Sequence, residues 1–175
     1  LDFSLQHDVA CSIRYPKLTA EQIERELQPI ELGKSETIRD GVDGTIVCIG
    51  TPLADCIAAA ERLAEDGLDV GVVNARFVKP IDREMVTRCL AGSGFIVTVE
   101  EAMLHGGFGS AFLETANEMR LDASRVRRIG IPDRWIEHGD RPGLLRDLQL
   151  DAPGIAEVCR EAAQQLPQGS VASEL

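Results

Sequence analysis

Three short stretches of this 175-residue sequence gather the residue types that do chemistry. The densest is Glu100–Ser110 (EEAMLHGGFGS), with two acids, a histidine and a glycine turn. A glycine-rich turn that opens a helix can present backbone N–H groups to an anion. The plainer use of Gly106, Gly107, Phe108, Gly109 and Ser110 is close packing of a helix on a sheet, which such a turn serves more often, and anion binding stays the alternative. The pattern is not the GxGxxG of dinucleotide-binding folds. Glu100 and Glu101 follow an apolar strand-like run, where successive side chains point to opposite faces. They therefore cannot share one acid/base site: one is expected to face a cleft or a neighbouring subunit, the other solvent or a helix cap. His105, with an ordinary pKa of about 6.5, is either a general acid or base or a loop histidine that bonds to its surroundings.

The second stretch, Pro132–Gly139 (PDRWIEHG), holds the only tryptophan, Trp135, beside Arg134 and Glu137. Such a residue suits an interface anchor; the alternative is a loop folded back on its own domain. His7, His105 and His138 lie far apart without ligand-like spacing, which argues against a metal site. In the third stretch, Asn74–Asp82 (NARFVKPID), Arg76 and Lys79 leave a strand end; pairing with Glu100 or Glu101 across neighbouring strands is expected ahead of the alternative, substrate binding. No Ser–His–Asp or Cys–His arrangement and no Walker loop can be assembled. By these residues alone the chain is an interaction and shaping module.

The elements that position these stretches follow a repeating pattern. Ile30–Ile38 alternates weakly, Gly41–Gly44 reads as a turn, and Thr45–Ile49 (TIVCI) is a strand buried on both faces. Thr51 as N-cap and Pro52 at the first turn open a helix with apolar residues Leu53, Ile57, Ala60 and Leu63, ended by Gly67. The cycle repeats as strand Val70–Val73, a helix opened by Pro80-Ile81-Asp82 and closed by Gly92, strand Phe95–Val99, a helix after Gly106–Gly109, and strand Val126–Ile131. Two short helices follow, near Pro142–Leu148 and Gly154–Gln165. Strands alternating with helices imply a parallel sheet with helices on both faces. Its carboxyl edge then gathers Gly50–Pro52, Asn74–Phe77, Glu100–Gly107 and Pro132–Gly139. The turn at Gly41–Gly44 is too short for a parallel crossover, so the first two strands are expected to be antiparallel.

Composition narrows the partners. A formal net charge of −11, from 29 acidic against 18 basic residues, repels nucleic acid and anionic lipid. No apolar run has the roughly 18–20 residues of a membrane span. Five cysteines (Cys11, Cys48, Cys56, Cys89 and Cys159) without a CxxC motif read as free thiols in a reducing cytoplasm. Val9–Ile13 resembles a strand with nothing to pair with, so the opening reads as the tail of an upstream domain. The polar run Lys17–Pro29, with Thr19 and Gln22 spaced as a capping box, reads as a connector.

The series ELGKSETIRDGVDGTIVCIGTPL, VNARFVKPID, FIVTVEEAMLHGGFGSAFLE and IGIPDRWIEHG, with RYPK upstream, resembles the carboxy-terminal domain of the 1-deoxy-D-xylulose-5-phosphate synthases, enzymes of the transketolase type. The resemblance runs from about Ile13 to Ala163. It implies an α/β fold of three layers (α/β/α), with a five-stranded mixed sheet whose first strand is antiparallel to four parallel ones. It also implies condensation of pyruvate with glyceraldehyde 3-phosphate, with loss of carbon dioxide, in isoprenoid-precursor and thiamine biosynthesis. The full-length enzyme would use thiamine diphosphate and Mg2+. The activating glutamate and the GDG metal motif of such enzymes do not occur in this chain, so neither a cofactor nor catalytic residues are expected here. One carry-over concerns the RYPRG pattern of the family, whose second arginine resembles a ligand of the substrate phosphate. Here it reads Arg14-Tyr15-Pro16-Lys17-Leu18, which makes Lys17 the substrate phosphate-binding candidate and Arg14 the neighbouring one. Lys17 keeps the charge without the two-pronged guanidinium.

The resemblance divides the chain into residues 1–18 as the end of a preceding pyrimidine-binding type domain, 19–29 as linker, 30–166 as a transketolase C-terminal-like domain, and 167–175 as a frayed tail. Its partners would be the upstream domains of the same polypeptide and a second copy in a homodimer, with neither nucleic acid nor membrane. Two other readings stay open: the C-terminal domain of a 2-oxoacid dehydrogenase β subunit, and a free-standing ligand-binding or regulatory module. The unpaired run near the start argues against the last.

Overall fold

The computed structural model describes residues 2–16 and 22–165. Lys17, Thr19 and the tail 167–175 therefore lie outside the described residues. After a short helix α1 (Asp2–Leu5), the order is β1 (Glu36–Arg39), β2 (Gly44–Ile49), α2 (Leu53–Glu65), β3 (Val70–Asn74), α3 (Arg83–Gly92), β4 (Phe95–Met103), α4 (Phe108–Glu118), β5 (Val126–Ile131), α5 (Arg141–Asp147) and α6 (Ala152–Gln164). The sheet runs β1-β3-β2-β4-β5. Only the β1–β3 pairing is antiparallel; β3, β2, β4 and β5 are mutually parallel.

Alternation along the strands builds two cores. Ile46, Cys48, Val70, Val72, Val97 and Val99 turn to one face, where Leu53, Cys56 and Leu63 of α2 and Ile155 and Cys159 of α6 cover them. Val47, Val73 and Ile96 turn to the other, against Met85, Val86 and Leu90 of α3 and Phe108 and Phe112 of α4. Period-2 strands between period-3.6 helices give a three-layer α/β/α architecture. Cys48, Cys56, Cys89 and Cys159 are buried free thiols, whereas Cys11 is exposed. Burial pushes the thiols of Cys89 and Cys159 up to about 11 and about 12.

Three expectations need correction. The first strand is Glu36–Arg39, because Ile30 and Leu32 are about half exposed and Gly33, at φ +68°, turns the chain. Its antiparallel neighbour is β3, not β2. Residues 40–43 step over the amino end of β3: Asp43 N donates to Asp69 O (2.9 Å), and a Cβ at Gly41 would strike the backbone at Val70 and Gly71. Two inter-strand spacings, about 10 Å, lie within reach of so short a link. Finally, Val9–Ile13 forms no strand: Val9 is exposed and Ile13 half exposed.

Candidate functional site: the carboxyl edge of the sheet

The glycine turn after β4 closes on an anion of its own. Glu100, 1% exposed, sends its carboxylate to the N-terminus of α4. Phe108 N donates to Oε2 at 2.6 Å and Gly109 N to Oε1 at 2.8 Å. A carboxylate there satisfies two orphan amides and complements the helix dipole. The glycines make room for it: a Cβ on Gly107 would land on the Glu100 carboxylate and the Met103 carbonyl, and one on Gly130 would crowd Glu100 Cγ at 3.0 Å. Ser110 Oγ donates to Leu104 O (2.8 Å), and Arg128 donates to both Leu104 O and Ser110 Oγ (2.9 Å each). The two amides an external anion would use are already taken. His105 stands exposed beside the turn.

Glu101 points elsewhere and collects a second network. Arg141, at the start of α5, donates through Nε to Oε1 (3.1 Å) and through Nη2 to Oε2 (2.6 Å). Thr51 Oγ1 donates to Oε2 at 2.6 Å. Thr51 is thus no N-cap; the cap position of α2 is Pro52, without a side-chain bond. Arg14, otherwise exposed, donates from Nη2 to the main-chain carbonyl of Glu101 at 2.8 Å. Burial pushes the Glu101 carboxyl up, but Arg141 and Thr51 outweigh it and hold the group below its ordinary range.

The expected pairing of Arg76 and Lys79 with Glu100 or Glu101 does not occur. β2 lies between β3 and β4, and both Glu100 oxygens serve α4. Arg76 instead meets Glu36 Oε2 at 3.1 Å and donates to the carbonyls of Pro29 (2.9 Å) and Gln28 (3.1 Å). Lys79 is exposed. Glu36, only 4% exposed, is completed by Arg25 (3.1 and 3.2 Å) and Asn74 Nδ2 (3.3 Å). Next to Arg76, the Phe77 ring stands edge-on to Phe3, with centroids 5.7 Å apart. The segments before β1 therefore dock along this edge at Phe77, at Arg76 with Glu36, and at Glu101.

Trp135 is 97% exposed, so its loop does not fold the indole onto the domain. His138 is also exposed. Behind the loop lies an apolar cleft of about 220 Å³, lined by Ile131, Ile136, Leu144 and Leu148 with Glu101 and Arg141 at one side. Among the described residues no group of three or more His, Cys, Asp or Glu is placed to hold a metal ion. Nor is any helix among them long and apolar enough to cross a membrane.

Acid should loosen this edge. Burial pushes the carboxyls of Glu36, Asp82 and Glu101 up, yet each ends below its ordinary value of 4.5 (Glu) or 3.8 (Asp). Arg25 and Arg76 prevail at Glu36, and the Ser35 and Met85 amides at Asp82. A carboxyl with a lowered folded pKa contributes stability above its unfolded pKa and loses it as pH falls through the folded one. The melting temperature is expected to be level from about pH 6 to 8 and to drop below about pH 4.5. A melting temperature that rises on acidification contradicts these pairings.

A mixed five-stranded sheet between two helical layers, with ion pairs along its carboxyl edge, defines a three-layer α/β domain. The chain belongs to the transketolase C-terminal domain family, whose model matches residues 33–155. A 1-deoxy-D-xylulose-5-phosphate synthase of Rhodopirellula baltica is 54% identical over 166 residues, covering 95% of this chain and 26% of that protein. The 1-deoxy-D-xylulose-5-phosphate synthase 1 of Geobacter sulfurreducens is 43% identical over 158 residues, covering 89% of this chain and 25% of that one. The chain thus spans about a quarter of the length of these relatives. Among solved structures, an inactive β4 tetramer of a split-gene transketolase matches with TM-score 0.76 and 28% identity, over 84% of this chain and 48% of that one. A transketolase variant from Pichia stipitis, at TM-score 0.56 and 18% identity over 78% of this chain and 19% of that one, shares the fold.

Proposed function

We propose that this chain is the carboxy-terminal part of a 1-deoxy-D-xylulose-5-phosphate synthase, which joins pyruvate to glyceraldehyde 3-phosphate with loss of carbon dioxide. The observation that carries the reading is the 54% identity to the Rhodopirellula baltica synthase over 95% of this chain. In this reading residues 1–18 close the preceding domain, 19–29 link, and 30–166 form the C-terminal domain. Thiamine diphosphate and Mg2+ belong to the upstream domains, and the chain alone is inactive. Lys17 contacts the substrate phosphate, with Arg14 the neighbouring cation. The enzyme is a cytoplasmic homodimer. Docking of Phe3, Arg14 and Arg25 along the carboxyl edge supports a role in holding the upstream domain. Trp135 and Met103, uncovered on that edge, support a further body seated there.

Two measurements test this. Mass spectrometry on the full-length protein with both substrates should find the five-carbon deoxysugar phosphate; acylation of a lipoyl acceptor instead would favour a 2-oxoacid dehydrogenase. Titrating thiamine diphosphate into the 175-residue chain should give no saturable heat. Clear saturation would place the cofactor site here.

A further inference from the structure

The segment 132–149 is held differently from the rest of the domain. It leaves β5 at Ile131, whose carbonyl accepts from Leu104 N at 2.9 Å, and rejoins the core at Leu150, 1% exposed. Just beyond, Ala152 N donates to Asp55 Oδ1 at 3.1 Å and fixes the start of α6. Between these anchors, among the described residues, the hydrogen bonds to other elements are those of the Arg141 guanidinium. It takes both oxygens of Glu101 (3.1 and 2.6 Å), and Thr51 Oγ1 holds the second of them at 2.6 Å. The other bonds of the segment are internal: Asp140 caps Gly143 N (3.1 Å), and the Leu144, Leu148 and Gln149 amides donate within the turns of α5. Apolar packing is thin as well. No residue of α5 is buried, and among α2–α6 it makes the sparsest contacts with other elements. Leu145 and Leu148 rest on the rim of one core. The cleft of about 220 Å³ between them, Ile131, Ile136 and Leu150 is left unfilled. A helix of seven residues does not persist in water without packing. Segments with few buried apolar contacts open locally before a domain unfolds. Gln149 sits at φ +57°, a left-handed position that glycine favours, so unwinding α5 also releases backbone strain there.

We propose that residues 132–149 form a flap, latched by Arg141 on Glu101 and Thr51, that opens as a unit while the sheet stays folded. Opening unwinds α5, uncovers the Glu101 carboxylate and the apolar floor at Ile131 and Leu150, and frees the loop that carries the exposed Trp135. The carboxyl edge then has a closed and an open form, and the latch sets the balance between them. The Arg141 and Glu101 side chains are 40% and 30% exposed, so the latch is weak enough to release. It holds whichever reaction the full-length protein performs.

The test is amide hydrogen exchange on the full-length protein, read by mass spectrometry on peptides that cover α5, α2 and β4. In the wild type the α5 peptide should exchange at least about 10-fold faster than the α2 peptide and keep its rate in low urea, the sign of local opening. Arg141→Gln should speed exchange in α5 about 3- to 10-fold and leave α2 and β4 unchanged. Thr51→Val lies outside the flap and should speed the same peptide by a smaller factor. A melting temperature measured on each variant identifies misfolding, and Thr51→Val carries the test if Arg141→Gln does not fold. Exchange of α5 in step with α2 in the wild type, or an unchanged α5 rate in a folded variant, would overturn the proposal. So would a rise that spreads equally to α2 and β4.

Discussion

Glu100→Ala is expected to destabilise the chain by about 4 kcal/mol, the sum of two hydrogen bonds to a carboxylate at about 1.5–3 kcal/mol each, less the relaxation of the helix end. The substitution removes the partner of the Phe108 and Gly109 amides (2.6 and 2.8 Å) without letting water in. The side chain is 1% exposed, and α4 is held against the sheet by the fully buried Phe108 and Phe112. At about 2–4 °C per kcal/mol for a chain of this size, the melting temperature should fall by roughly 8–16 °C. Glu100→Gln keeps the volume and one acceptor but turns an NH2 toward a backbone N–H, so about half the loss is expected. Circular dichroism melts and amide exchange at Phe108 and Gly109 provide the check. A fall of under about 2 °C would mean that the carboxylate does not cap α4.

In the synthase reading proposed above, Lys17→Ala in the full-length protein is expected to carry the second large effect. An ammonium paired with a phosphate makes a charge-assisted contact, and its loss at a desolvated site costs about 1.5–3 kcal/mol, or roughly 10- to 150-fold in affinity. The effect should fall on KM for glyceraldehyde 3-phosphate, with kcat changed little, because the phosphate is bound equally before and during the reaction. Lys17→Arg should retain tight binding, since guanidinium also suits phosphate. An unchanged KM in Lys17→Ala removes this residue from the subsite.

Much of this edge was legible beforehand, and the gaps have physical causes. Strands β2 and β3 announce themselves as short buried apolar runs, and the helix opening at Asp82 and the glycine stop at Gly92 bound α3 within a residue or two. The first strand was harder. Ile30 and Leu32 alternate with polar residues but lie in a loop, and periodicity in so short a stretch does not report burial. The short Gly41–Gly44 link implied the right orientation and the wrong neighbour, because loop length limits reach and not which strand is crossed. Glu100 and Glu101 were separable by strand alternation, and one of them does serve a helix cap. Their partners were not legible: Arg141 lies 40 residues from Glu101, and Thr51 lies 50 away. Arg76 resembled a partner for that pair until the order β3-β2-β4 set a strand between them.

The central claim is that this domain completes a synthase whose chemistry lies on other domains. The most direct measurement is release of carbon dioxide from pyruvate by the full-length protein, with thiamine diphosphate and Mg2+, in the presence and absence of glyceraldehyde 3-phosphate. The expected result is turnover that depends on the aldehyde. Carbon dioxide release at the same rate without it, or none under either condition, would contradict the synthase assignment.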